Sequence, residues 1–215
     1  MPYHISMITI NEFEKINIPQ NSISGFEFFE GNKVLLSTPH AVSQTRNNTL
    51  KVAESETYKL AKIITDNTGC SLLTKTENLN DDANLEINNN YRNKIAGLIE
   101  QGKIKYIFDI HSLNSSRSQD INFGTNYGFN LIGNTTLFTR IKDVFKQHNF
   151  NPSTDFPFAA SEKTITGFFS KHYHVFCLQI EVNSSIYKNE EQLNNLINCL
   201  TQVVKITLAS DKINS

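Results

Sequence analysis

Lys105-Tyr106-Ile107-Phe108-Asp109-Ile110-His111 is the run from which the fold can be read outward. Tyr106, Ile107, Phe108 and Ile110 leave it no polar face, so it predicts a strand covered on both sides, as in the middle of a parallel sheet. Asp109 is costly in such a place unless it has a partner. His111 stands two residues on and points to the same side, so Asp109 can orient its imidazole or a neighbouring group from behind. Two further apolar runs end in the same manner. Val34-Leu35-Leu36-Ser37-Thr38-Pro39 leads into His40, and Val175-Phe176-Cys177-Leu178-Gln179-Ile180 leads into Glu181. Ligands of an open α/β sheet sit beyond the carboxyl ends of its strands. Two imidazoles and a carboxylate brought to one sheet edge therefore form a candidate metal-hydrolase site.

The elements around these runs alternate. Residues 25–30 and 33–38 predict two strands joined by a tight turn at Gly31-Asn32. Residues 54–67 predict a helix, with Tyr58, Leu60, Ala61, Ile63 and Ile64 on its apolar stripe and Gly69 past its end. Residues 70–76 predict a strand, and 90–101 a helix stopped by Gly102. Residues 120–124 and 129–133 read as short strands or loop edges. Residues 135–148 predict an amphipathic helix, 175–183 another central strand and 189–210 a long closing helix. The stretch 77–90 holds four acids and six asparagines and reads as a long loop, whose length favours a functional role. Strands alternating with crossover helices imply a mainly parallel sheet covered on both faces. The expected architecture is α/β, a three-layer α/β/α sandwich with a mainly parallel mixed sheet, and the expected organisation is a single domain over 1–215.

The chain of 215 residues is long enough for one sizeable core, and 39% hydrophobic with 19% charged residues is ordinary for a globular domain. A net charge of −1 offers no electrostatic argument for nucleic acid or an anionic membrane. No signal-peptide pattern and no membrane-length apolar window stands out, so a cytoplasmic protein is expected; the oligomeric state is left open. Cys70, Cys177 and Cys199 match no metal or redox spacing and read as small core hydrophobes. His4 and His148 are expected to take no part in the site.

Within the candidate site Glu181 is the sharpest residue, because a carboxylate in a strand buried on both faces must be paired, protonated or bound to a metal. Beside an activated water it can serve as general base. A carboxylate at the start of the helix 54–67 can join the two imidazoles, and chemistry alone does not separate Glu54 from Glu56. Two His and one Glu leave a fourth zinc position open, the arrangement of a catalytic site.

These residues, in this order, resemble the N-formylglutamate amidohydrolase family, a branch of the zinc carboxypeptidase-like hydrolases. The strings that carry the likeness are Ser37-Thr38-Pro39-His40-Ala41, Phe108-Asp109-Ile110-His111-Ser112, Asp120-Ile121-Asn122-Phe123-Gly124, the segment 166–173, and Leu178-Gln179-Ile180-Glu181-Val182-Asn183 continuing to Ile186-Tyr187. The resemblance spans about residues 33–205. It implies a phosphorylase/hydrolase-like α/β/α fold, one Zn2+ per chain on His40, Glu54 and His111, and Glu181 as general base. The run 46–57 aligns so that Glu54 rather than Glu56 is the acidic ligand. Zinc suits the mixed His/Glu set, although manganese, cobalt or iron also fit such donors.

The implied reaction is hydrolysis of an amide in an N-acyl amino acid, with Glu181 taking a proton from water and passing it to the leaving amine. Substrates of the family generally carry carboxylates, so a small carboxylate-bearing molecule is the expected partner. Arg46, Arg92 and Arg117 are the candidate bidentate contacts, with Asn84 in support. A zinc exopeptidase or γ-glutamyl-peptide hydrolase is the alternative enzyme, and an α/β binding module without turnover the alternative outside catalysis.

Overall fold

The strand predicted over 105–111 lies near the middle of a seven-stranded sheet. The structure, a computed structural model, describes residues 7–20 and 22–213; His4 lies outside them. In chain order the elements are α1 (Ile10–Glu14), β1 (Phe26–Phe29), β2 (Asn32–Thr38), the hairpin β3 (Gln44–Arg46) and β4 (Thr49–Lys51), α2 (Ser55–Thr68), β5 (Cys70–Lys75), α3 (Asn90–Glu100), β6 (Tyr106–Leu113), β7 (Ile121–Gly124), a 3-10 turn (Phe129–Leu131), α4 (Thr135–Gln147), β8 (Pro152–Thr154), α5 (Ile165–Tyr173), β9 (Phe176–Asn183), a second 3-10 turn (Ile186–Lys188) and α6 (Glu190–Ile213). The sheet order is β1-β5-β2-β6-β9-β7-β8. β2 runs parallel to β5 and β6, β6 to β9 and β7 to β8, whereas β1 is antiparallel to β5 and β7 to β9. The sheet is thus mixed and mainly parallel, as the alternation of elements implied.

Its strands are buried on both faces because they carry apolar side chains on both. Val34, Leu36, Phe108, Ile110, Leu178 and Ile180 pack against α2, α4 and α6. Leu35, Ile107 and Cys177 face the other way, onto Tyr91, Ile95 and Leu98 of α3 and Ile165 and Phe169 of α5. The three free cysteines are all buried, as their setting predicted. No helix among the described residues is long and apolar enough to cross a membrane.

Two expectations are corrected. Residues 25–30 and 33–38 do form strands, but they are not paired with each other: β5 lies between β1 and β2. The link passes close over the start of β5, where a Cβ on Gly31 would stand 2.4 Å from the Gly69 carbonyl oxygen and 2.5 Å from the Cys70 carbonyl carbon. Only glycine permits that approach. The segment 129–133 is not a strand; Phe129–Leu131 forms a 3-10 turn.

Candidate metal centre

His40 follows the end of β2, His111 lies near the end of β6 and Glu181 lies near the end of β9. His111 and Glu181 are direct neighbours across the parallel ladder, as are Asp109 and Gln179 two residues before them. All four point to the face shared with α3 and α5, since the side-chain period of a strand is two. Glu54 arrives from the start of α2. At φ −109° and ψ 56° it caps that helix without a side-chain hydrogen bond to it. Its carboxylate turns to the imidazoles instead and accepts the Ser112 N–H at 2.9 Å. Glu56, the second residue of α2, makes no such contact.

The donor atoms converge. His40 Nδ1 lies 3.2 Å from His111 Nδ1 and 3.3 Å from Glu54 Oε1, and His111 Nδ1 lies 3.7 Å from Glu54 Oε2. The outer nitrogens are held by buried carboxylates: His40 Nε2 by Asp82 Oδ1 at 3.0 Å, and His111 Nε2 by Asp109 Oδ2 at 2.9 Å. When both imidazoles are neutral with their hydrogens on Nε2, the two Nδ1 atoms turn lone pairs towards one another and towards the Glu54 carboxylate. A cation completes such a set. Ligands about 2.0–2.1 Å from a tetrahedral zinc stand roughly 3.3 Å apart, and the contacts among His40, Glu54 and His111, at 3.2, 3.3 and 3.7 Å, lie near that spacing. These three side chains form a group that could hold a metal ion.

The electrostatics follow from this crowding. Burial opposes a charge on His111, but Asp109 and Glu54 outweigh it and hold its pKa well above the usual imidazole value. Burial likewise opposes charge on His40, where Asp82 and Glu54 prevail and raise it. Glu54 is driven down to about 2, because hydrogen bonds from the two imidazoles overcome its own desolvation. Glu181 is the reverse case. Burial lifts it to about 7, pulled back in part by His111 and pushed up by Glu54. Its Oε1 accepts the Gln179 side-chain N–H at 2.8 Å.

A cavity of about 470 Å3 opens over the cluster, walled by His40, Glu54, His111 and Glu181 together with Arg46, Asn84, Arg117 and Gln179. Arg46, on β3, donates from Nε to Asp82 Oδ2 at 2.7 Å and so backs the carboxylate that holds His40. Arg117 is exposed on the loop after β6, which is tied down by Asn183 Nδ2 donating to the carbonyls of Arg117 and Gln119 at 3.0 Å. Asn84 accepts the Ile165 N–H at 2.9 Å and joins the long loop to α5. Arg92 is placed differently. It is buried, it does not line the cavity, and its guanidinium donates to the carbonyls of Ala83, Asn84 and Lys163. It ties two loops together. His148 is bonded to Gln202, away from the cluster.

Two residues of the site were not anticipated in a role there, Asp82 and Gln179. Asp82 lies in the string Asp81-Asp82-Ala83-Asn84, where an acid in a polar loop gives no sign that it will be buried. Gln179 did carry a signal, since it stands two residues before Glu181 and so on the same face of a buried strand.

Neither a family profile nor a curated protein sequence matches the chain. Solved structures do match it in fold. An N-formylglutamate amidohydrolase from Ralstonia eutropha JMP134 superposes with a TM-score of 0.61 at 13% identity, over 90% of this chain and 100% of that one. A bacteriophage poly-gamma-glutamate hydrolase gives 0.53 at 12% identity, over 96% and 97% of the two chains. A metallo-carboxypeptidase from Burkholderia cenocepacia gives 0.52 at 10%, over 85% of this chain and 61% of that one. The chain therefore has the α/β/α fold that these hydrolases also have, in accord with the family its motifs resemble.

Proposed function

We propose that the chain is a metal-dependent hydrolase of amide bonds, acting on an N-acyl amino acid that carries a carboxylate. The observation that carries this is the convergence of His40 Nδ1, His111 Nδ1 and Glu54 at 3.2–3.7 Å, with both outer nitrogens anchored on buried carboxylates. In this reading His40, Glu54 and His111 hold one zinc ion. A divalent metal bound there supplies Lewis acidity, which lowers the pKa of water and polarises a carbonyl.

Glu181 is the general base. Gln179 occupies its Oε1, so Oε2 is the oxygen left to take the proton of the attacking water and to return it to the leaving amine. Its high pKa for a carboxyl suits both transfers near neutral pH. Asp109 and Asp82 fix the imidazoles. Arg46 and Arg117 are the cations of the cavity, and they suit the carboxylate of the substrate and the developing oxyanion. Asn84 supports the wall between them and α5. The fold shared with an N-formylglutamate amidohydrolase and a poly-gamma-glutamate hydrolase supports the choice of amide over ester or phosphate.

The test is metal content by mass spectrometry on wild type and His111→Ala, followed by hydrolysis of N-formyl-L-glutamate and other N-acyl amino acids. One metal ion per chain, lost in the variant along with hydrolysis, is the expected result. No stoichiometric metal after zinc has been offered overturns the reading.

A further inference from the structure

The loops after β7 and β8 expose aromatic side chains as no other part of the described molecule does. Tyr127 and Phe129 come from the first loop, Phe156 and Phe158 from the second, and these are the four exposed aromatic residues among those described. Ile132 stands exposed with them. The two loops are bolted together. Asp155 accepts the N–H of Thr125 at 2.6 Å, its hydroxyl at 2.7 Å and the N–H of Tyr127 at 3.1 Å. The Asn126 N–H donates to the Ala159 carbonyl at 2.5 Å, and the Asn122 side chain holds Phe156 N at 3.1 Å and Phe158 O at 2.8 Å.

The backbone is also strained there. Tyr127 and Ile132 sit at φ 55° and 48°, in the left-handed region, which for β-branched Ile132 is a true outlier. Strain of this kind persists where surrounding contacts over-determine it, and it gathers at binding sites. Exposed apolar side chains held on a braced surface are features of contact sites.

Two observations say what makes that contact. The first is continuity with the metal cavity. Pro157 and Phe158 wall that cavity, Phe129 and Ile132 line a second one of about 410 Å3, and Ser161 borders both. The second is charge. Within 125–134 and 155–161 the one acidic or basic side chain is Asp155, which is spent on bracing the loops. Of the charged side chains that line the second cavity beside His174, Lys171 and Glu162 are paired with each other at 2.7 Å. Arg46 and Arg117 supply charge only inside the metal cavity. We infer that the aromatic platform is a subsite for an apolar group carried by the substrate beyond its scissile amide, so that the preferred substrates are N-acyl amino acids with a medium-length alkyl or aryl acyl group. This rests on the amide-hydrolase reading and names the substrate class within it.

The probes are N-octanoyl-L-glutamate and N-formyl-L-glutamate, compared on the metal-loaded full chain. A buried methylene is worth about tenfold or more in discrimination. The kcat/KM ratio of octanoyl to formyl substrate is therefore expected to exceed about ten in wild type. It should fall about tenfold in Phe129→Ser and in Phe158→Ser, both surface changes that leave the core intact, and stay at the wild-type value in Met7→Ser, which removes an exposed apolar side chain elsewhere. A wild-type ratio of one or less, or a ratio unmoved by both Phe variants, overturns the subsite while leaving the hydrolase reading in place. Saturation-transfer NMR of N-octanoyl-L-glutamate on the metal-free chain gives a readout without turnover. Transfer to the octanoyl methylenes in wild type, lost in the double Phe variant, supports binding of the acyl chain at these loops independently of turnover. No transfer to those methylenes in wild type overturns it.

Discussion

Each imidazole of the cluster is held from behind by a carboxylate that does not itself line the cavity, Asp109 for His111 and Asp82 for His40. Such outer partners fix tautomer and ring angle, and their loss typically costs 10–100-fold in metal affinity. Asp109→Asn keeps the shape but can offer His111 Nε2 a donor in place of an acceptor, so competitive chelator titration should show a weakening of about 10–100-fold. An unchanged affinity would mean that His111 is oriented by packing alone. Glu181 permits a test by pH. Burial pushes its pKa up to about 7 in the metal-free protein, from an ordinary glutamate value of 4.5. The native state thus holds this proton more tightly than the unfolded chain does. The stability it contributes is present below about pH 4.5 and is lost as pH rises through about 7. An ionised Glu181 then costs about 3 kcal/mol at pH 8. Glu181→Gln stays neutral throughout, and its amide oxygen can still accept from Gln179. In chelator, denaturant unfolding should find it about as stable as wild type at pH 4.5 and more stable by about 3 kcal/mol at pH 8. A stability difference independent of pH would show that Glu181 is not buried as an acid.

The element that backs one wall of the cavity is α5, which follows the wall segment 157–164. Gly167, in its first turn, lies under the strap that carries Ala160 and Ser161 into the cavity wall, and a Cβ there would stand 2.1 Å from the Ser161 carbonyl oxygen and 2.5 Å from its carbon. Backbone cannot swing aside as the tip of a side chain can. Gly167→Ala should therefore cost about 1–3 kcal/mol by overpacking, read as a lower denaturation midpoint, and should raise KM by shifting the wall. A midpoint equal to wild type would show that the strap yields freely. This helix was also hard to read in the sequence. It has nine residues, Ile165–Tyr173, with a glycine, β-branched residues and three aromatics among them, a composition of low intrinsic helicity. What makes it helical is Phe169 and Ile165 packing under β6 and β9, a tertiary effect. The placing of β5 between β1 and β2 was hidden for a related reason, since it pairs segments separated by a whole helix. By contrast the strands ending in His40, His111 and Glu181 were legible, because an apolar run closed by a metal-capable side chain is a local signal. Asp82 was not, because it meets His40 across 42 residues of chain, and before folding nothing distinguishes it from Asp81 beside it.

At the scale of the whole molecule, a metal held by the cluster would tie the pH dependence of stability to metal content. Without a cation, His40 and His111 keep their protons above the usual imidazole range, because Asp82, Asp109 and Glu54 surround them. Groups whose pKa is raised on folding contribute stability that is fully present below about pH 6.5. That stability is lost as pH rises through the folded-state values. A bound metal takes the place of those protons, so binding is weak where the imidazoles are protonated and strengthens as they deprotonate. The metal-free protein therefore weakens with rising pH over a range in which the loaded protein gains. Free zinc at a thousand times its Kd would add about 4 kcal/mol, which for a chain of this size corresponds to roughly 10 °C in Tm. The melting-temperature gap between zinc-loaded and chelated protein should approach that value at pH 8 and shrink towards zero by about pH 5. The same gap in His111→Ala should be close to zero at every pH, since the donor set is broken. A gap in wild type that does not change with pH would mean that zinc binds without displacing protons from His40 and His111, and hence at some other place on the molecule.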